Sequence, residues 1–225
     1  TARIGAFVGA GRGGERTRAE AVVRVPDLGS VAPALSGPLT ADLSAAQEPS
    51  GAWAITADAN GPAGANVSAE ALLDGGDASA TASLDVPDLS AFVPVLPGGA
   101  SATIDAERAG GGPWQLDLAA DGPYGSTATA DATVGGGPLT VDLQARLPNV
   151  APLARRFSGP VAVDAQLEQT EAGAPVQVTA DADLPYGASA ALSGRLAAGE
   201  SRLRLDATVP NIAPLAPGLS GGVRI

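Results

Sequence analysis

At 225 residues, 45% of them hydrophobic but only 3% aromatic, the chain has enough apolar side chain for one or two ordinary domains, drawn mostly from Ala, Val and Leu. The formal net charge is −11, all 13 cations are arginines, and there is neither His nor Cys. That composition excludes disulfide frameworks and thiol or imidazole catalysis, and it makes nucleic acid a poor partner, because phosphate-backbone binding needs clustered cations.

Two alternating stretches, 2–8 and 16–25, open the chain and read as strands. The glycine-rich run Gly9 to Gly14 between them carries Arg12 and is followed by Glu15, Arg16 and Arg18. It resembles a phosphate loop in composition alone; no strand–loop–helix context surrounds it, so a hairpin tip is the better reading. Val25-Pro26-Asp27-Leu28 then ends the alternation, and its equivalents return at Val86-Pro87-Asp88-Leu89, Leu147-Pro148-Asn149-Val150 and Val209-Pro210-Asn211-Ile212. The prolines step by 61, 61 and 62 residues. A period of that length marks the stacking of one supersecondary unit. The chain divides into the C-terminal half of a repeat (1–25), three repeats (26–86, 87–147 and 148–209) and the start of another (210–225), all read as one continuous β-groove. Because it begins inside a repeat, it reads as a piece of a longer protein.

The first full repeat carries four period-two strands. In 38–47, Leu39 and Leu43 alternate with Thr40, Asp42 and Ser44; in 51–60, Trp53 and Ile55 alternate with Ala54, Thr56 and Asp58. In 65–73, Val67 and Leu73 share a side opposite Asn66, Ser68 and Glu70, and in 77–86, Leu84 lies opposite Asp77, Ser79, Thr81, Ser83 and Asp85. The same grammar continues through Ile104, then Trp114, Leu116 and Leu118, then Leu139, Val141 and Leu143. Val161 and Val163, Val176 and Val178, Leu192, and finally Leu203 and Leu205 complete the inward-facing set. Turns such as Asn60-Gly61-Pro62, Asp74-Gly75-Gly76-Asp77, Asp121-Gly122-Pro123, Gly135-Gly136-Gly137-Pro138 and Ala197-Ala198-Gly199-Glu200 suit short antiparallel connections. The expected fold is therefore all-β: an elongated, curled antiparallel sheet of about 14 strands with an apolar interior of small side chains.

The segments after each anchor, 26–37, 87–98, 148–159 and 210–221, hold several prolines and do not alternate, so they interrupt the sheet. They are nonetheless apolar, with Leu28, Val31 and Leu35, then Leu89, Phe92, Val93 and Leu96, then Val150, Leu153 and Phe157, then Ile212, Leu215 and Leu219. Four strands separate successive interruptions, which places them all on the same edge, as flaps expected to cover part of the apolar face.

No constellation points to catalysis or to a metal. The acidic turns around Asp74 and Asp121 fall short of the six to eight oxygen ligands that calcium takes. Aspartates recur at repeated positions, which reads as structure, and Trp53 and Trp114 read as packing residues. Arg155-Arg156 reads as a solvated pair. A non-enzymatic protein without cofactor is expected.

The anchor followed by Ala-Pro-Leu and Ser-Gly, as in Pro148-Asn149-Val150-Ala151-Pro152-Leu153 with Ser158-Gly159-Pro160 and Pro210-Asn211-Ile212-Ala213-Pro214-Leu215 with Ser220-Gly221, resembles the repeats of the TamB and AsmA-like family of Gram-negative bacteria. The lysine-free composition looks like a high-GC bacterial version. The resemblance implies a β-taco, or repeating β-groove, with a greasy interior. It further implies a periplasmic protein anchored in the inner membrane that passes phospholipid along the groove, supports outer-membrane biogenesis, and meets an Omp85-type outer-membrane protein (TamA) through other parts of the full protein.

The residues alone agree that an apolar face with no second layer in the sequence must be covered, since leaving about 1,000 Å² of it in water forgoes about 25 kcal/mol. Phospholipid acyl chains are one cover. A self-packed structural or adhesive β-repeat is another, and a chaperone-like groove for outer-membrane protein strands would use the same surface.

Overall fold

Alternation of apolar and polar residues across nearly every segment commits the backbone to strands, and the computed structural model is all-β and antiparallel. It describes residues 3–9, 17–30, 36–154, 157–197, 199, 201–211, 213 and 221–224, with backbone alone for 3–9 and 30. Two compact units, Thr1–Gly112 and Pro113–Ile225, meet in the chain within the second repeat.

Unit 1 contains β1 (Arg3–Gly9), β2 (Arg18–Val25), β3 (Leu39–Gln47), β4 (Trp53–Asn60), β5 (Asn66–Asp74), β6 (Asp77–Val86) and β7 (Ala100–Arg108). Unit 2 contains β8 (Trp114–Gly122), β9 (Ser126–Val134), β10 (Leu139–Leu147), β11 (Val161–Gln169), β12 (Val176–Asp183), β13 (Ser189–Leu196), β14 (Arg202–Val209) and the two-residue β15 (Val223–Arg224). Within each unit every strand pairs with its neighbour in sequence, and the first and last strands do not close into a barrel. Fourteen strands of seven to ten residues match the expected number, with β15 in addition.

The expected strand 38–47 begins at Leu39, 51–60 begins at Trp53, and 65–73 runs Asn66–Asp74. Ala2, the glycine-rich tip 10–16, Arg155-Arg156 and the flap residues Val31, Leu35, Ile212, Leu215 and Leu219 lie outside the described residues.

Connections alternate between the two ends of the strands. At one end, each Pro-rich flap alternates with a short Pro-x-Gly turn. In those turns Ala63, Tyr124 and Tyr186 hold φ of 55°, 61° and 63°, and the following Gly64, Gly125 and Gly187 hold 77°, 72° and 73°. Two successive left-handed residues make type I′ turns, whose twist matches that of antiparallel strands. The glycine meets the need without strain; Ala and Tyr before it do not.

The flaps are built on the residue after the anchor proline. Asp27 Oδ1 accepts the N–H of Gly29 at 2.8 Å and of Gly37 at 2.9 Å. Asp88 Oδ1 accepts from Ser90 at 2.9 Å and Gly98 at 3.2 Å. Asn149 Oδ1 does the same with Ala151 at 3.0 Å and Gly159 at 3.1 Å, and Asn211 Oδ1 takes the Ala213 N–H at 3.0 Å. In the first three flaps the next residue closes the loop through its backbone: Leu28 N to Gly37 O, Leu89 N to Gly98 O and Val150 N to Gly159 O. One carboxylate or amide oxygen thus joins positions ten residues apart, and Asp and Asn serve equally because only the acceptor is used. Gly37 and Gly159 then pack on Pro62 and Pro185 of the adjacent Pro-x-Gly turns.

Very little is enclosed. Among the described residues only Ala52, Pro62, Val86 and Ala188 are buried. The strands' closest backbone neighbours are their ladder partners. The accessible surface is 14219 Å², whereas two separate compact bodies of half this mass would together expose about 11,000 Å². In each unit the described strands form a single sheet, and described residues of both its faces reach solvent.

Candidate functional site

Register decides which side chains share a face. In unit 1 the pairing lines up Ala21, Leu43, Ala57, Ala69, Ala82 and Ile104 across six strands. Toward the flaps runs Val23, Ala41, Ala59, Val67, Leu84 and Ala102; toward the hairpin tips runs Ala19, Ala45, Ile55, Ala71, Ala80 and Ala106. Leu39 opposes Val25, and Trp53 opposes Leu73. All eight apolar residues expected on the inner face of this unit therefore lie on one side.

Unit 2 repeats the arrangement. Leu118, Ala130, Leu143, Ala165, Ala180, Leu192 and Leu205 form one row, and Leu116, Ala132, Val141, Leu167, Val178, Gly194 and Leu203 the next. A third row, richest in Ala, contains Val163. Trp114 opposes Val134, Leu139 opposes Gln169, Val161 opposes Leu147 and Val176 opposes Leu196. The thirteen residues expected on the inner face here share one side as well. Sequence reasoning left out Leu167 and Leu196, which obey the same alternation, and most of the alanines that form the floor between the larger side chains.

Several of these side chains stay well exposed. Leu43 is 42% exposed, Ile104 41% and Leu205 60%. At the flap end of β8 to β11, Ala120, Ala128, Ala145, Leu147, Val161 and Val163 border an open hollow of about 310 Å³, rimmed by Asp121 and Arg146. Small residues keep this floor low: each Ala row gives room beside the backbone that Leu or Phe would fill. Of the flap residues, Leu28, Leu89, Phe92 and Leu96 are half-buried, whereas Leu153 and Phe157 are exposed, and none of those described lines this hollow.

The opposite face is polar and carries its own ladders. Ser44 pairs with Thr56 at 2.8 Å, Ser68 with Ser83 at 2.7 Å, and the Thr81 hydroxyl donates to Asp105 at 2.7 Å. Such cross-strand pairs contribute to sheet stability. Leu72 is an exception, an apolar side chain on this polar side. No group of potential ligands for a metal occurs among the described residues, and none of their polar side chains is buried. Backbone N–H donors, from Gly37 and Gly29 for Asp27 and from Ser90, aided by its hydroxyl, and Gly98 for Asp88, hold these two carboxyls below the usual carboxylate range. That is the signature of a loop anchor, and it involves neither of the sheet's faces.

The site is therefore a surface: a multi-strand apolar face in each unit, floored by Ala and studded with Leu, Val and Ile, and partly open to solvent among the described residues. Comparison with protein-family models, with curated proteins and with solved structures found no match for this chain.

Proposed function

We propose that the apolar faces bind the acyl chains of lipids and that the chain is a non-enzymatic, lipid-conducting segment. The observation that carries this reading is the run of unbroken apolar rows with two-fifths or more of Leu43, Ile104 and Leu205 open to solvent. Exposed apolar patches of this extent are rare on soluble monomers and mark a surface meant to be covered. Hydrocarbon chains suit it because burial and dispersion have no direction, so rows of near-equal composition bind similarly from strand to strand. Taken with the anchor motifs, the reading makes this chain part of a TamB-like protein of the Gram-negative periplasm. Such a protein passes phospholipid between inner and outer membranes, and other parts of it would meet the Omp85-type partner TamA.

Native mass spectrometry of the purified chain, with lipid extraction, tests the reading: co-purified phospholipid and saturable binding of a fluorescent fatty acid are expected. Leu116→Asp, Leu143→Asp or Val163→Asp should each weaken that binding at the face of unit 2 while the far-UV circular dichroism of the sheet persists. A lipid-free protein that ignores the fatty acid would return the face to a structural or strand-binding role.

A further inference from the structure

Asparagine followed by glycine is chemically labile in water, because a residue without a side chain leaves its backbone nitrogen open to the neighbouring carboxamide. The chain holds four asparagines, and only Asn60 precedes a glycine. Asn66 donates through Nδ2 to Gly64 O at 2.8 Å, and Asn149 and Asn211 accept backbone N–H groups through Oδ1. Asn60 ends β4 and is exposed, and its side chain makes no hydrogen bond among the described residues. The same place in the repeat is taken by Asp121 and Asp183, which precede Pro123 and Pro185 as Asn60 precedes Pro62. The other two repeats therefore already carry, at this turn, the acid that hydrolysis of the Asn60 amide produces.

We propose that Asn60-Gly61 is a site of spontaneous covalent modification whose rate is set by opening of the β4–β5 turn. The Gly61 nitrogen, deprotonated by hydroxide, attacks Asn60 Cγ. The new C–N bond closes a five-membered imide, the bond from Cγ to the side-chain nitrogen breaks, and that nitrogen takes a proton from water and leaves as ammonia. Water then opens the ring, at Cγ to give aspartate or at the main-chain carbonyl of residue 60 to give isoaspartate; nothing is oxidised or reduced. In the closed turn the attack is held off, since Asn60 is extended in the ladder between Thr40 and Asn66 and the Gly61 N–H is donated to Ala65 O at 2.7 Å. Ala63, left-handed at φ 55°, lies inside the same turn, and its strain favours opening. Isoaspartate puts one more carbon into the main chain just ahead of Gly61 and Pro62, against which Gly37 of the first flap packs. Conversion thus loosens that flap, whatever covers the apolar face.

The test incubates the full 225-residue chain in neutral buffer at raised temperature, folded and in guanidinium chloride, with peptide mass spectrometry and NMR of the side-chain NH2 groups. Acid in place of amide at residue 60, with Asn66, Asn149 and Asn211 intact, is expected in the folded chain, and faster conversion in the unfolded one. Ala63→Gly should slow the folded rate about twofold, the equivalent of about 0.5 kcal/mol of turn stability, and leave the unfolded rate unchanged. Gly61→Leu copies Leu184 of the third repeat, and a Cβ there meets Ala65 O at 3.6 Å and Ala65 Cβ at 3.7 Å, which is ordinary contact. That variant should keep the circular dichroism of the sheet and lose the conversion. In the isoaspartyl fraction the Gly37 amide should exchange with deuterium faster than in fresh protein, and equal exchange would remove the link to the flap. A folded chain that keeps Asn60 while the unfolded chain converts fully, conversion of another asparagine as fast as Asn60, or a folded rate unchanged in either variant overturns the proposal.

Discussion

Truncating Leu43 to Ala measures directly whether anything lies on the apolar face. The change removes three carbons, worth about 2.4 kcal/mol if they were fully buried. Leu43 is 42% exposed in the single-layered sheet, so the loss should be about 1.4 kcal/mol, with no cavity contribution because the site opens to solvent. Leu205, 60% exposed, should lose about 1 kcal/mol on the same scale. An enclosed core would instead charge about 2 to 5 kcal/mol for the same substitution. Urea unfolding of the lipid-free chain, followed by circular dichroism and Trp fluorescence, gives the first number. Repeating it with a saturating fatty acid should widen the Leu43→Ala deficit by about 1 kcal/mol, because the ligand then covers the remaining surface. A lipid-free loss above about 3 kcal/mol would mean that a second layer packs on Leu43 and would refute the single-layer argument. An unchanged deficit with fatty acid would refute the placement of the ligand.

Asn149→Ala removes an oxygen that accepts from Ala151 and Gly159 and should cost about 1 to 2 kcal/mol in urea, whereas Asn149→Asp at neutral pH should cost far less because it keeps the acceptor. Asp27 and Asp88 have folded pKa values lowered by the amides they accept from. Their stabilising effect is therefore complete above the ordinary carboxylate value and lost as pH falls through the depressed folded value. The amide shift of Gly98 should titrate in that acid window, the Gly159 amide should not, and Asp88→Asn should erase the Gly98 titration. Ala63→Gly relieves a left-handed alanine, φ 55°, and should raise stability by about 0.5 kcal/mol, the balance of left-handed strain against glycine entropy; a loss of stability would contradict the turn geometry.

Alternation and turn chemistry made the strands legible. Within a strand the side chains point alternately to two faces, so Leu39 and Leu43 had to share a side, as did Leu203 and Leu205, and the short turns forced neighbours to be antiparallel. The 61-residue period made the flaps recognisable as equivalent. Their mechanism was not legible: Asp27, Asp88 and Asn149 stood out only as members of the repeating anchor, because the second amide each one binds lies ten positions away.

By itself the sequence determined the strand pattern, the meander and the membership of each face, because these follow from local periodicity and from connections too short to allow anything else. It could not determine whether the apolar rows meet a second layer, since a β-sandwich carries the same alternation. Tertiary structure bears on that: among the described residues Leu43, Ile104 and Leu205 of the apolar faces keep two-fifths or more of their surface open to solvent.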